Sequence, residues 1–344
     1  MAEARRSIAR GSRSFAAASR LFDRETRERA WLLYAWCRRC DDIADEQDHG
    51  RAMAGGAMQD SASTKDPDEA ARDRLTGIRV LTARALDGQP TAEPAFDALG
   101  QVAQEAGLTP DLVEDVIEGF ALDAAGWRPR TELDLMRYCY HVAGAVGVMM
   151  ARVMGVPAQD SETLDRACDM GLAFQLNNIA RDLGEDDAAG RCYLPVEWLA
   201  EAGIPPGQHM KPRFRPQLVA MVARLLDLAE EHEAAARQGA RALRFRQRWA
   251  VLAAANIYGA IGRAVRARGE RAWDHRVRTT ALAKLGHMLG ALREALRPQA
   301  EPAAMPRWTR GEILVAVRMA GPIAPNPTTP LPDEGVVGPP SPAR

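Results

Sequence analysis

The chain has 344 residues, 47% of them apolar, and a formal net charge of -1. That is enough chain for one large buried core or two smaller ones, and the near-balanced charge argues against a dedicated nucleic-acid binder. Five scattered cysteines (Cys37, Cys40, Cys139, Cys168, Cys192) read as reduced core thiols of a cytosolic protein rather than a disulfide frame.

Residues 1–14 are studded with Arg and lack the apolar stretch of a signal peptide. The longest uninterrupted apolar run covers 142–151, short of the ~20 residues a spanning helix needs, so no membrane crossing is expected. Ala, Leu, Arg and Glu dominate, Gly and Pro punctuate, and β-branched runs are few, which predicts helices throughout. The first long helix is expected over 23–45. Residues 49–73, with Gly50, Gly55, Gly56 and Pro67, read as a flexible connection into the next helix. Thr109-Pro110-Asp111 marks a helix start, with Thr109 as N-cap, Pro110 in the first turn, and Leu112, Val113, Val116, Ile117 and Phe120 inward.

Further helices are expected over 131–154, ending before Pro157, and over 161–184. Four prolines make 204–216 a loop, and two long helices follow at 217–243 and 248–268. From Gly321 the chain is rich in Pro, Gly, Ser and Thr, so a disordered tail is expected. There is no internal repeat, no Gly-x-Gly-x-x-Gly and no P-loop. Cys37 and Cys40 form a C-x-x-C without a second pair to complete a zinc site, which leaves core packing as their role.

Two aspartate-rich segments carry the chemistry. Asp41 with Asp45, and Asp182 with Asp186, are four residues apart on predicted helices, and about 100° per residue puts each pair on one face. Tyr34 and Arg38 extend the first row; Gln175 and Asn178 extend the second. Leu33, Cys37, Cys40 and Ala44 form the apolar ridge beside one, and Leu172, Leu176, Ile179 and Leu183 beside the other. One such Asp pair is ordinarily a solvated face. These rows instead mix carboxylates with amides, Tyr and Arg, and hold almost no Lys or Glu. Mg²⁺ takes hard oxygen ligands and shares carboxylates with phosphates, so two facing rows would hold Mg²⁺, or alternatively Mn²⁺, and through it a diphosphate. Arg38 and Arg181 either clamp phosphate or balance the Asp cluster.

Tyr34-Ala35-Trp36-Cys37-Arg38 followed by Asp41-Asp42-Ile43-Ala44-Asp45 resembles the first signature of the squalene and phytoene synthases. Gln175-Leu176-Asn177-Asn178-Ile179-Ala180-Arg181-Asp182 with Gly190-Arg191-Cys192-Tyr193-Leu194-Pro195 resembles the second. The segments 118–123, 138–144 and 272–274 resemble most the bacterial, phytoene-forming members, and the likeness runs in order over 7–296. It implies an all-α, single-domain isoprenoid-synthase helical bundle with a central cavity over 1–300, followed by a C-terminal extension over 301–344. The reaction it implies is Mg²⁺-dependent head-to-head condensation of two geranylgeranyl diphosphates, through prephytoene diphosphate, to phytoene with release of diphosphate.

Carried over by position, the resemblance makes Asp41, Asp45, Asn178 and Asp182 Mg²⁺ ligands with Asp186 in support, and the four aspartates catalytic. Ser12, Arg13 and Ser14 resemble a diphosphate-binding stretch, and Tyr34, Arg38, Gln175, Arg181 and Tyr258 resemble substrate contacts. Tyr138 is expected near the reacting carbons. Arg276 matches a phosphate-binding arginine whose spacing from Tyr258 varies by one residue among relatives. No NADPH is expected.

Independently of the resemblance, 142–154 suits a tunnel wall, rich in small residues and in adaptable Met. Gly144 and Gly147 serve either that wall or close helix packing. Tyr138 and Tyr258 place ring faces near a cation or are hydrogen-bonded core tyrosines. No general-base dyad is visible, and diphosphate as final proton acceptor stays open. Two competing readings are a C30 synthase making dehydrosqualene or squalene from farnesyl diphosphate, and a non-catalytic scaffold, which would be expected to lose carboxylates retained here. Arg237, Arg241, Arg244, Arg246 and Arg248 read as a solvated helix end rather than a nucleic-acid or membrane module. Expected partners are the two prenyl diphosphates, the inner-leaflet membrane surface bound peripherally through an apolar patch near the tunnel mouth, and downstream carotenoid enzymes, with no nucleic acid. The expected location is cytoplasmic and peripherally membrane-associated.

Overall fold

Helix caps written into the sequence set most of the architecture. The computed structural model describes residues 4, 8, 13–44, 47, 48, 51, 52, 67–297 and 304–320. Ser12, Asp45, most of the expected 49–73 connection and the 321–344 tail lie outside the described residues. Helix α1 spans Arg13–Ser19 and α2 Arg24–Ala44, where Asp23 accepts from the Thr26 backbone N–H and hydroxyl, both at 2.9 Å. A two-residue antiparallel ladder, β1 (Gln47–Asp48) with β2 (Arg51–Ala52), is the only strand pairing among the described residues.

Helix α3 covers Pro67–Leu86, so it begins inside the segment expected to be a flexible connection. Pro67 lacks an N–H that a first turn would leave unpaired, and the exposed Glu69 complements the positive end of the helix dipole. Helix α4 (Pro94–Ala106) stops at Gly107, whose φ of 63° is the left-handed cap that glycine adopts without strain. Helix α5 (Pro110–Ala124) starts as expected, with the Thr109 hydroxyl accepting from Leu112 N–H. Val113, Val116 and Ile117 are buried, whereas Leu112 and Phe120 are half-buried.

The helix expected over 131–154 has three parts: α6 (Glu132–Cys139), a π-helical turn (Tyr140–Gly144) and α7 (Ala145–Val153). Thr131 and Asp134 form a reciprocal capping box at its start. The π turn is held from the side, because Tyr140 donates to Asp115 at 2.5 Å and His141 Nδ1 lies 2.8 Å from the Asp115 carbonyl. Helix α8 (Ser161–Ala188) continues past Gly184, where it was expected to end, so Asp186 is helical. Gly184 sits against Met210 and Trp273, and that packing carries the helix through.

The short α9 (Val196–Glu201) leads through the proline-rich loop to α10 (Arg215–Gly239), α11 (Phe245–Arg268), α12 (Ala281–Ala295) and α13 (Arg310–Ala320). Helix α8 is central, packing on α7, α10 and α11. Its ridge of Leu172, Leu176, Ile179 and Leu183 is buried, as are Ala173, Asn177 and Ala180. Each fully buried Leu or Ile contributes about 1.5–3 kcal/mol. One side is left for the row of Gln175, Asn178, Asp182 and Asp186.

Close backbone approach positions that row. A Cβ on Gly171 would stand 2.1 Å from the Ala143 carbonyl oxygen, and one on Gly147 would stand 2.2 Å from that of Ala167. The small residues here therefore serve helix packing, and Gly147 serves the cavity wall as well. Beyond residue 300 the chain returns to the body: Ile313 is fully buried, Arg310 pairs with Asp165 at 3.0 Å, and Trp308 donates to Glu132 at 2.8 Å. The five thiols are free; four are buried and Cys37 is half-buried, matching the core role read from sequence. Among the described residues no helix is long and apolar enough to cross a membrane.

Candidate active site

A cavity of about 760 Å³ runs beside α8. Its wall on that helix extends from Thr163 to Arg181, and the eighteen steps between them at about 1.5 Å each make roughly 27 Å. Most of the wall is apolar, drawn from Leu33, Val146, Met150, Met170 and Val251 among others. Six residues expected to meet substrate (Tyr34, Gln175, Arg181, Tyr258, Arg276 and Ser14) line this cavity, with the expected ligand Asn178. Four separate stretches of chain supply them, on α1, α2, α8 and from α11 onward.

Aromatic contacts fix this polar part. The Phe174 and Tyr258 rings stack at 4.2 Å, and Phe15 lies 6.0 Å from Tyr34. Burial pushes the Tyr34 hydroxyl up to about 12 against the opposing pull of Arg38, so it remains a neutral donor. The segment carrying Arg276 is pinned to α8 by Trp273, whose indole N–H donates to the Ala180 carbonyl at 2.9 Å.

Arginines hold the acidic groups. Arg38 donates to Asp41 at 2.6 Å and pairs with the buried Asp42 at 2.7 Å. Asp182 takes two forks at once, one from its neighbour Arg181 and one from Arg276 at 2.9 and 2.8 Å. Burial would raise the Asp182 carboxyl, but the hydrogen bond and charge of Arg181, then those of Arg276, hold it below the usual range. Asp186 behaves oppositely. Its own burial, then the charge of Asp182, push it up to about 7; Asp123 and Glu185 add to the rise and Arg191 opposes it.

Among the described residues no three carboxylate, His or Cys groups stand together in a set that could hold one ion, and guanidinium groups occupy Asp41 and Asp182. The donor set nevertheless fits a hard divalent cation: Asp41, Asn178, Asp182 and Asp186 offer oxygen ligands, and Asp186 feels the charges of Asp182, Asp123 and Glu185 against that of Arg191. Asp45 lies outside the described residues, as does the side chain of Arg13, whose backbone opens α1.

Tyr138 does not line the cavity. It is 3% exposed, and its hydroxyl donates to Asp123 at 3.0 Å, an oxygen that also accepts from Tyr193 at 2.8 Å. The two rings stack at 4.7 Å with Trp127 6.0 Å beyond. Tyr138 thus backs the acidic side of the site through Asp123, whose charge reaches Asp186. Sequence reasoning noted the segments holding Asp123 and Tyr193 without assigning either residue a task. No periodicity links positions 70 residues apart. Phe174 escaped because it adjoins the polar row rather than belonging to it.

A family model described as squalene/phytoene synthase matches residues 8–283. The phytoene synthase of Pseudescherichia vulneris is 44% identical over 294 residues, covering 86% of this chain and 91% of that one. The 15-cis-phytoene synthase of Pantoea ananas is 43% identical over 297 residues, covering 86% of this chain and 92% of its own. Among solved structures, a dehydrosqualene synthase in complex with ligand superposes with a TM-score of 0.72 at 25% identity, covering 84% of this chain and 94% of that one.

Proposed function

This chain belongs to the squalene/phytoene synthase family, and we propose that it is a 15-cis-phytoene synthase joining two geranylgeranyl diphosphates head to head. The observation that carries this reading is the convergence of Tyr34, Gln175, Asn178, Arg181, Tyr258 and Arg276 on one long, mostly apolar cavity. Prenyl chains need an apolar bed, and their diphosphates need cations and hydroxyl or amide groups beside it. Likeness to relatives named phytoene synthase over most of both chains supports the twenty-carbon substrate above farnesyl diphosphate.

Asp41, Asp45, Asn178, Asp182 and Asp186 are the residues that would hold Mg²⁺ or Mn²⁺. When bound, the cation supplies Lewis-acid neutralisation that makes diphosphate a good leaving group. The chain's own groups do the rest. Arg181 and Arg276 rest on Asp182 and are the cations able to turn to phosphate oxygens when substrate arrives. Tyr34 offers a neutral hydroxyl, and the stacked Tyr258–Phe174 pair presents aromatic surface to an allylic cation. The apolar wall excludes water that would otherwise quench that cation. The first condensation releases one diphosphate and a proton to give prephytoene diphosphate; the second ionisation, rearrangement and proton loss give phytoene, with no reductant consumed. A lipophilic product also supports peripheral association with the inner leaflet and hand-over to downstream carotenoid enzymes.

The test is incubation with geranylgeranyl and farnesyl diphosphates in Mg²⁺, with and without NADPH, followed by product identification. Phytoene without NADPH, abolished by excess chelator and restored by Mg²⁺, is expected. A product from farnesyl diphosphate alone would transfer the assignment to the C30 reading, and full turnover in chelator would overturn the metal assignment.

A further inference from the structure

Helix α12 is built inside out. Leu282, Leu285 and Leu289, with Leu296 just after the helix, are 79%, 52%, 57% and 68% exposed, while its buried positions are Ala291 and Ala295. Steps of three, four and seven residues place all four leucines on one stripe. The helix is well anchored on its other side: the Trp249 indole N–H donates to the Met288 carbonyl at 2.8 Å, and Asn256 donates to that of His287 at 3.2 Å. The stripe is therefore a fixed outward surface.

We propose that this outward face of α12 is where the protein docks on an anionic lipid bilayer. Three observations favour a bilayer over a second copy of the chain. First, the charge on the face has one sign: Arg293 and Arg297 are exposed, and the helix's only acid, Glu294, is turned to Arg237 at 2.7 Å. Two such faces would repel, whereas acidic headgroups would attract both. Second, four leucines at these exposures offer on the order of 450 Å², within the ~300–600 Å² of the largest and often functional patch of a monomer, yet short of the ~800 Å² per partner of a stable dimer. Third, the helix that carries the face starts at the rim of the cavity. Residues 276–279, which line it, run directly into Thr280, the N-cap of α12, and Lys284 on the helix lines it too. Resting on the reading of the cavity as a prenyl-diphosphate site, this places the opening beside the phase in which a C40 hydrocarbon dissolves.

The experiment is co-sedimentation of the full chain with phosphatidylglycerol-containing and pure phosphatidylcholine vesicles, alongside light scattering and turnover in detergent micelles. Wild type is expected to bind the anionic vesicles, and Leu282→Ser/Leu289→Ser to bind at least ten-fold more weakly with its melting temperature and micellar turnover unchanged. Met319→Ser, on the 83% exposed position of α13, is expected to bind as wild type does. Wild type that ignores anionic vesicles, or a leucine double variant that binds like wild type, would overturn the proposal. So would a wild-type dimer that the double variant splits while vesicle binding persists, since the face would then belong to a second copy. Absent turnover with leucine-dependent vesicle binding would fail the catalytic reading and leave the docking surface standing.

Discussion

Gly171→Ala and Gly77→Ala make the same chemical change in two helices and should act with opposite sign. Alanine outranks glycine in a helix interior by about 0.8–1 kcal/mol. At Gly77, in α3, an added Cβ meets nothing within 4 Å, so that gain should appear nearly whole. At Gly171 the same atom would stand 2.1 Å from the Ala143 carbonyl oxygen, 2.6 Å from its carbon and 2.9 Å from Gly144 Cα. All three are backbone and cannot swing aside. Restoring ordinary contact at about 3.4 Å moves α8 off the π turn by roughly 1 Å. Such overpacking costs about 1–3 kcal/mol, and subtracting the propensity gain leaves a net loss of up to about 2 kcal/mol where Gly77→Ala gains. At roughly 2–4 °C per kcal/mol for a chain of a few hundred residues, Tm should fall by up to about 8 °C. Gln175 and Asn178 lie four and seven residues on and travel with the helix. A 1 Å misplacement of positioned groups lowers turnover by about 100-fold. The assay is thermal melting and product formation for both variants. A Gly171→Ala protein that melts at or above wild type with full turnover would refute the close-approach reasoning.

Asp41→Asn and Asp182→Asn are each expected to lower turnover by about 10³-fold or more while leaving the far-UV helical signal intact; a near-wild-type rate from either would sink the carboxylate assignment. Arg276→Ala should raise KM for geranylgeranyl diphosphate about ten-fold or more with little change in Tm, because Arg181 still holds Asp182; an unchanged KM would remove Arg276 from the site. His209 is 2% exposed, its Nε2 makes no hydrogen bond and stands 3.6 Å from Asp187, and burial lowers its pKa against the pull of that carboxylate. Below about pH 6.5 the unfolded chain takes up a proton that the folded chain refuses, so wild type should lose stability relative to His209→Gln as pH falls from 7.5 to 5.5. A constant Tm difference across that range would contradict it.

Much of the fold was legible because local chemistry decides it. Thr109 and Pro110 start a helix wherever they stand before an apolar run, and the two polar rows follow from the helical period alone. What was hidden depends on groups distant in sequence. The continuation of α8 past Gly184 rests on Trp273 and Met210 packing there, and helical propensity sees only a glycine. Arg276 reaches Asp182 across 94 residues, so its place could be inferred from resemblance but not from spacing. Tyr138 was placed near the reacting carbons by resemblance, while its residue type left a hydrogen-bonded core tyrosine open; choosing needed Asp123, whose carboxylate accepts from its hydroxyl. The start of α3 at Pro67 was readable and was outweighed by the surrounding Gly and Ser.

The π turn at Tyr140–Gly144 makes chain length as constrained as residue identity. It lodges one extra residue in an otherwise continuous helix, so the angular phase of α7 is offset by about 100° from the one α6 would propagate. On one side of the offset Tyr140 and His141 reach Asp115; on the other Val142, Val146 and Met150 face the cavity. Deleting a single residue there would restore an ordinary helix and turn that wall away from the cavity. A point substitution at the same positions would leave the phase untouched, so this stretch tolerates changes of letter far better than changes of count.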